Sequence, residues 1–177
     1  FDENINKYDV IRINMQEFLS ATQNMEEMLK LLQKRILADL KNKYPEYVIE
    51  ENLVFAMQDV FSRTKSSFII LIDEWDCLFR EYEQDQESQK KYLDFLRFWL
   101  KDKDYIALAY MTGILPIKKY GSHSALNMFM EYSMIDPGNL AEFFGFTEKE
   151  VKELCVEYAM SFEEVKAWYD GYGLVSH

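Results

Sequence analysis

Phe68-Ile-Ile-Leu-Ile-Asp-Glu-Trp-Asp76 is the stretch of this sequence that decides the fold. Five consecutive apolar residues, mostly β-branched or aromatic, are followed at once by acids. This pattern predicts a strand that is buried on both faces, as the central strands of parallel sheets are. Ligands of open α/β sheets bind at the carboxyl ends of the strands. The stretch therefore predicts a central strand that presents Asp73 and Glu74 at a ligand-binding edge.

Two more segments have the same strand-like character. Residues 8–14 read Y-D-V-I-R-I-N, and residues 105–111 read Y-I-A-L-A-Y-M before Thr112-Gly113. Runs of this length, rich in β-branched and aromatic residues, predict strands. A fourth, short strand is predicted over residues 130–135.

Segments with helical periodicity separate these strands and fill the last quarter of the chain. The predicted helices cover residues 24–43, 50–63, 89–100, 147–159 and 161–169. Strands that alternate with helices predict an α/β fold, with a parallel sheet and flanking helices. We expect an α/β core over residues 1–136 and a small helical C-terminal part, a lid or subdomain, over residues 137–177.

The composition excludes several classes of function. The chain has 177 residues, with 31 acidic against 20 basic side chains and a formal net charge of −11. An acidic surface repels phosphate backbones, so we expect no direct nucleic-acid binding by this segment. The two cysteines form no C-x-x-C or Cys/His cluster, which argues against a zinc site.

Targeting signals are also missing from the sequence. No apolar run approaches the ~20 residues that a membrane span needs, and the N-terminus resembles no signal peptide. We therefore expect no membrane partner and a cytoplasmic protein. The chain starts at Phe1 without a methionine and ends soon after an aromatic motif, so we expect a fragment of a longer protein.

The acids that follow the central strand are the main candidates for chemistry. Asp73 is the candidate for a cofactor-binding residue and metal ligand, because a carboxylate there can hold Mg²⁺ while the metal bridges phosphate oxygens. Glu74 is the candidate catalytic residue that orients or deprotonates a water molecule. Asp76 is a second metal candidate, or it faces a partner. The pattern is typical of the Walker B strand of P-loop ATPases, and a strand end capped by solvated acids is its simpler alternative.

Thr112 and Gly113 end the strand that follows. In P-loop ATPases the strand next to Walker B ends in a polar residue, the sensor, near the γ-phosphate. The Thr112 hydroxyl is a candidate to hydrogen-bond the attacking water or a phosphate oxygen. Gly113 is a candidate cofactor-binding residue that lets the backbone turn close to the nucleotide. An ordinary strand-to-loop turn is the alternative.

The phosphate-binding loop of such an enzyme is absent. No segment fits G-x-x-x-x-G-K-[ST], whose backbone amides and lysine cradle the phosphates. We expect that loop upstream of Phe1, and therefore weak nucleotide binding or none by this chain alone. ATP is favoured over GTP because no N-K-x-D-like base reader appears.

Other candidates are weaker. Arg80, Arg97 and Lys118 or Lys119 are candidate phosphate-facing cations, and His123 is a weak candidate catalytic residue. Cys77 follows the acids directly, and nearby carboxylates raise a thiol pKa, which argues against a reactive thiolate. The motif W-Y-D-G-Y over residues 168–172 predicts a packed lid, an interface or a stacking platform.

The order of these segments resembles the AAA-ATPase-like domain family, which is often followed by a PD-(D/E)XK nuclease-like domain. The matching pieces include residues 68–76, T-G-I-L-P-I at 112–117, F-F-G-F-T-E-K-E-V-K-E-L at 143–154 and W-Y-D-G-Y. The resemblance implies a P-loop NTPase fold with Walker B roles for Asp73 and Glu74 and the sensor position for Thr112. It also implies ATP with Mg²⁺, expected only in the full-length protein, and a nuclease-like domain that follows.

Two other classes of function stay open. One is a degenerate, non-catalytic interaction module that keeps the ATPase fold, and an intact upstream G-K-[ST] would argue against it. The other is a nuclease-type metal site made by Asp73, Glu74 and Asp76, which ranks last because residues 105–111 carry no lysine. The sequence also leaves a homo-oligomer open.

Overall fold

The computed structural model describes residues 2–48, 50–116, 127–133, 136–143 and 145–169. In this part of the chain the strands are β1 (Asp9–Asn14), β2 (Phe68–Asp73) and β3 (Ile106–Met111). The α-helices are α1 (Met15–Ser20), α2 (Met25–Lys43), α3 (Leu53–Thr64), α4 (Cys77–Glu81), α5 (Gln86–Leu100), α6 (Glu148–Glu157) and α7 (Phe162–Tyr169). Short 3-10 helices cover Asp2–Asn4 and Gly138–Phe143.

The three strands form one parallel sheet in the order β1-β2-β3. The predicted central strand, β2, is indeed the middle one. Phe68, Ile70 and Ile72 are buried on one face, while Ile69 and Leu71 on the other face are half-buried. Because helices flank this sheet, the predicted α/β fold with a parallel sheet and a helical C-terminal part is confirmed.

Strand β3 differs from the buried strand that its apolar run suggests. Leu108 is 51% exposed and Tyr110 is 44% exposed. In the described part of the chain, β3 pairs with β2 alone, so it lies at an edge of the sheet. An apolar run shows that a strand can be buried, but its place in the sheet decides whether it is.

The helices begin where polar side chains cap them. The side chain of Asn24 accepts a hydrogen bond from the Glu27 amide and so caps the start of α2. The buried residues of α2 recur every three or four positions and therefore form one face. That face consists of Met25, Met28, Leu32, Ile36 and Leu40. A capping box formed by Thr147 and Glu150 starts α6 in the same way.

The hydrophobic core lies between the sheet and α1 to α5. The hydroxyls of its buried tyrosines, Tyr92 and Tyr105, are hydrogen-bonded to backbone carbonyls. The Tyr92 hydroxyl donates to the Trp75 carbonyl at 2.8 Å, and the Tyr105 hydroxyl donates to the Trp99 carbonyl at 2.6 Å. Buried tyrosines need such partners because an unpaired hydroxyl in the core is costly. The first of these bonds fixes the backbone directly after the acids of β2.

Two short helices next to the strands, α1 and α4, were not predicted. Helix α1 follows β1 directly, and α4 follows the acids of β2. Each has only five or six residues, too few for a periodic pattern to stand out. Helix α5 begins three residues before the predicted start because Asp85 caps it.

The chain divides into two compact units, Phe1–Phe129 and Met130–His177. The domain boundary predicted after residue 136 stays a prediction. In the second unit, residues 130–133 have no regular structure, so the described part of the predicted fourth strand is not a strand; residues 134 and 135 lie outside the described residues. Trp168 is 84% exposed, and Tyr169 is similarly exposed, so this part of the W-Y-D-G-Y motif is not packed; residues 170–172 lie outside the described residues. Among the helices of the described residues, none has the length and apolar character to span a bilayer.

Candidate functional site

The carboxyl ends of the three strands bring polar side chains to one edge of the sheet. In the parallel register Asn14 lies opposite Asp73, and Ile72 lies opposite Met111. Thr112 follows Met111 directly, so Asn14, Asp73 and Thr112 each mark the end of one strand. This edge is where ligands of open α/β sheets bind.

Asp73 and Thr112, predicted from separate strands, are in direct contact. The Thr112 hydroxyl donates a hydrogen bond of 2.5 Å to Asp73 Oδ1, which also accepts the Glu74 amide at 3.0 Å. The backbone of Thr112 is fixed from both sides, because its amide donates to the Ile72 carbonyl and its carbonyl accepts from the Trp75 amide. Asp73 is exposed, so its carboxylate is accessible to a ligand.

Glu74 has an unusual backbone and a charged partner. Its φ is +54°, in the left-handed region that side chains other than glycine rarely adopt. Its carboxylate forms an ion pair with the Arg80 guanidinium, and both side chains are about two-thirds buried. Strained backbone of this kind is often found at functional sites. Arg80, a candidate phosphate-facing cation by sequence, binds protein carboxylates here.

Asp76 is the fully buried acid of the group, with an exposure of 0%. Its Oδ2 accepts the amides of Ile114 and Leu115 at 3.2 and 2.9 Å and lies 3.5 Å from Arg80 Nε. Its Oδ1 has no hydrogen-bond partner among the described residues. The carboxylate is thus enclosed by protein, whereas the carboxylate of Asp73 is open to solvent.

Gly113 is required by close packing. A Cβ at this position would lie 2.5 Å from Asp76 Oδ1 and 2.6 Å from Trp75 Cδ1. Both neighbours are buried and have little room to move. The sequence predicted that Gly113 lets the backbone approach a nucleotide; in the structure the close approach is to Asp76 and Trp75, and the nucleotide role stays a prediction.

The residues at this edge fit a magnesium ion only in part. Asp73 supplies an exposed carboxylate beside a hydroxyl, and Mg²⁺ prefers such oxygen ligands together with water. One oxygen of Asp76 already accepts two amides, and the other is buried close to the Gly113 backbone, so neither is accessible to solvent. Within the described ranges, no group of three or more His, Cys, Asp or Glu side chains could hold a metal.

The thiol of Cys77 is buried directly after these acids. Burial raises its pKa to about 11, and the carboxylates of Asp76 and Glu74 add to this effect to a lesser extent. The prediction of an unreactive thiol therefore agrees with the structure, although burial, and not the acids, is the main cause. Burial also raises the pKa of Tyr92 well above its usual range.

Sequence reasoning missed Asn14 and the position of Arg80. Asn14 caps α1 by accepting the amides of Gln16 and Glu17, and its register position places it beside Asp73. The signal was available, since Asn14 is the polar residue that ends the first strand-like run. No local signal pairs Arg80 with Glu74. Of the other candidates, Arg97 pairs with Asp94 on α5, and Lys118, Lys119 and His123 lie outside the described residues.

Comparison with known proteins gives one match. A family model described as Predicted AAA-ATPase matches residues 2–122, which is more than half of the chain and includes the whole carboxyl edge. No curated protein and no solved structure matches the chain. The family match agrees with the resemblance seen in the motifs, and the chain therefore belongs to the AAA-ATPase-like family of predicted AAA-ATPases.

Proposed function

We propose that the carboxyl edge of this sheet is one half of a magnesium-dependent site for ATP binding and hydrolysis. The observation that supports it most is the hydrogen bond from Thr112 to Asp73 across two neighbouring parallel strands. It brings an exposed carboxylate and a hydroxyl together where ligands of such sheets bind. Membership of a family of predicted AAA-ATPases supports ATP as the ligand.

The residues take different roles in this proposal. Asp73 holds Mg²⁺ through its exposed carboxylate, and the ion, when bound, neutralises charge on the phosphate oxygens. Thr112 donates its single hydroxyl proton to Asp73 and can accept a hydrogen bond from the attacking water at the same time; a bond to a phosphate oxygen would require that proton to leave Asp73. Glu74 orients or deprotonates that water. Of the two metal positions that the sequence predicts, we propose Asp73 alone for contact with the ion.

Glu74 must be released for this chemistry. Its Oε2 is paired with the Arg80 guanidinium, so the carboxylate is already engaged by a protein partner and is not free to orient a water. The proposal therefore includes a change of partner at Glu74 when nucleotide binds. The left-handed backbone at Glu74 supports a functional role for this residue, because such backbone clusters at active sites and switch regions.

The phosphate cradle has to come from outside this chain. No residue segment here fits a P-loop. The exposed side chains of Leu108 and Tyr110 on β3 support a further element that covers this edge strand in the full-length protein. By the same resemblance we propose that a nuclease-like domain follows in the full-length protein.

The experiment measures ATP turnover by the full-length gene product with Mg²⁺. Glu74→Gln keeps the shape of the side chain but cannot accept a proton, so we expect kcat to fall by about 100-fold or more while ATP still binds. The matched control is Glu87→Gln, an exposed glutamate on α5 that pairs with Lys91, and it should turn over ATP like the wild type. A wild type without turnover would refute hydrolysis at this site, and a wild type that also fails to bind ATP would refute the nucleotide site as a whole.

A non-catalytic interaction module is the second candidate function. The observation that favours it is the ion pair of Glu74 with Arg80, which occupies the proposed catalytic carboxylate. A module of this kind binds neither ATP nor Mg²⁺ in the full-length protein, and Arg80→Gln then changes only its stability. Under the enzyme proposal, Arg80→Gln changes turnover as well, because it frees Glu74.

A further inference from the structure

Asp76 begins helix α4 but does not cap it. An aspartate at this position usually accepts amides from the first turn of its own helix. The Asp76 side chain makes no such bond and instead crosses to the segment that follows β3. There it accepts two successive amides, an arrangement that suits a carboxylate oxygen well.

Burying this carboxylate is unfavourable unless it is compensated. A buried charge needs partners, and removing them leaves a large desolvation penalty. Asp76 has the amides of Ile114 and Leu115 and the nearby guanidinium of Arg80. None of these contacts serves to cap α4, so the carboxylate of Asp76 chiefly fixes residues 113–115 next to the β2 edge.

The fit at Gly113 adds a second, steric constraint on the same segment. The backbone of Gly113 lies so close to Asp76 Oδ1 and the Trp75 ring that no Cβ would fit. Thr112 precedes this point directly and is tied to β2 through its amide, its carbonyl and its hydroxyl. The segment after β3 is therefore held at both ends, by Asp73 and the β2 backbone on one side and by Asp76 on the other.

We propose that Asp76 is a positioning residue: it holds the Thr112–Leu115 segment so that the Thr112 hydroxyl stays against Asp73. This role rests on the proposed function, because it assigns Asp76 to the alignment of the sensor and not to contact with metal or nucleotide. It explains why an acid is buried here beside a glycine. Arg80 takes part by compensating the charge of Asp76 while it pairs with Glu74.

The first arm of the test measures hydrogen exchange at single amides in the full-length protein. Residues 113, 114 and 116 are exposed, so the amides of Ile114 and Leu115 depend on Asp76 for protection. Asp76→Ala should speed their exchange by about tenfold or more. Asp76→Asn keeps one oxygen acceptor and should give an intermediate rate, which preserves the test if the alanine variant does not fold. The amide of Thr112, bonded to the Ile72 carbonyl, should stay protected in both variants.

The second arm measures ATP turnover by the same proteins. A positioning role predicts that Asp76→Ala lowers kcat with little change in KM for Mg-ATP, and that Asp76→Asn restores part of the loss. Asp94→Ala, which removes an exposed acid paired with Arg97 on α5, is the matched control and should change neither readout.

The two arms separate the two ways in which the proposal can fail. Unchanged exchange at Ile114 and Leu115 in both Asp76 variants overturns the holding of the loop. Faster exchange with unchanged kcat overturns its role in the reaction. A wild type without turnover overturns the proposed function, and the exchange arm still decides whether Asp76 holds the loop.

Discussion

Asp9 gives a stability prediction that depends on pH and not on the proposed function. It lies at the start of β1, and its nearly buried carboxylate accepts hydrogen bonds from Lys43, Tyr44 and Ser66. These donors come from the end of α2 and from the residues before β2. Asp9 thus joins three separate segments at the amino edge of the sheet.

The change to test is Asp9→Asn, which keeps the shape of the side chain and one acceptor oxygen. A hydrogen bond to a charged group contributes about 1.5–3 kcal/mol. The Lys43 side chain is 59% exposed, so solvent screens its ion pair with Asp9. This pair therefore contributes about as much to stability as a surface ion pair does, about 0.5 kcal/mol. Because the asparagine retains part of the bonding, we expect the free energy of unfolding at pH 7 to fall by about 2 kcal/mol.

The pH dependence has a definite sign. Burial opposes ionisation of Asp9, but the bonds from Lys43, Tyr44 and Ser66 and the charge of Lys43 outweigh it, so its pKa is below the usual 3.8. A carboxylate with a lowered pKa stabilises the fold above its unfolded pKa, and this contribution is lost as the pH falls through the folded pKa. The difference between wild type and Asp9→Asn should therefore be constant from pH 7 to 5 and shrink below about pH 4.

The assay is urea unfolding, followed by circular dichroism, at a series of pH values from 7 down to 3. Glu26→Gln is the matched control, because Glu26 pairs with Lys30 on the exposed surface of α2 and its loss should not change stability measurably. If the Asp9→Asn variant is as stable as the wild type at pH 7, the hydrogen bonds to the Asp9 carboxylate contribute nothing to the free energy of unfolding. A difference that persists unchanged at pH 3 would show that the charge of Asp9 is not its source.

Three further predictions concern single residues. Gly113→Ala should lower the free energy of unfolding by about 1–3 kcal/mol, because the new methyl group meets Asp76 and Trp75; a variant of wild-type stability in urea would contradict the close packing. Cys77 should resist alkylation at pH 8 in the folded protein and react after denaturation, because it is buried and its pKa is about 11; rapid labelling of its peptide under native conditions, seen by mass spectrometry, would contradict this. Lys65→Gly should raise stability by about 1 kcal/mol, because Lys65 ends α3 with a φ of +60°. Arg63→Gly, inside the last turn of the same helix, should lower the stability by about 1 kcal/mol. If thermal unfolding shows that both glycine variants are stabilised, or that both are destabilised, the argument is refuted.

Elements with a clear local pattern were predicted almost to the residue. The run at 68–72 became β2, Phe68–Asp73, and the helix expected over 24–43 became α2, Met25–Lys43. These patterns work because the periodicity of apolar side chains and the capping residues are properties of the local sequence. Where the local signal was short, as in α1 and α4, prediction failed.

The partners of the site residues depend on long-range contacts. Thr112 meets Asp73 across 39 residues of sequence, and this pairing could be anticipated because parallel strands end at the same edge. The ion pair of Glu74 with Arg80 could not, because it depends on the left-handed turn at Glu74 and on a helix too short to predict. The amide partners of Asp76 are likewise 38 and 39 residues away and lie in a loop without a pattern of its own.

The sequence by itself determined the fold class, the family and the edge of the sheet at which its acids lie. Only the tertiary structure decided how those acids differ. Asp73 and Asp76 are three residues apart and chemically identical, yet one is open to solvent and the other is enclosed by two amides, a glycine and an arginine. The physical reason is that burial and hydrogen-bond partners, which decide what a carboxylate can do, come from segments that only folding brings together.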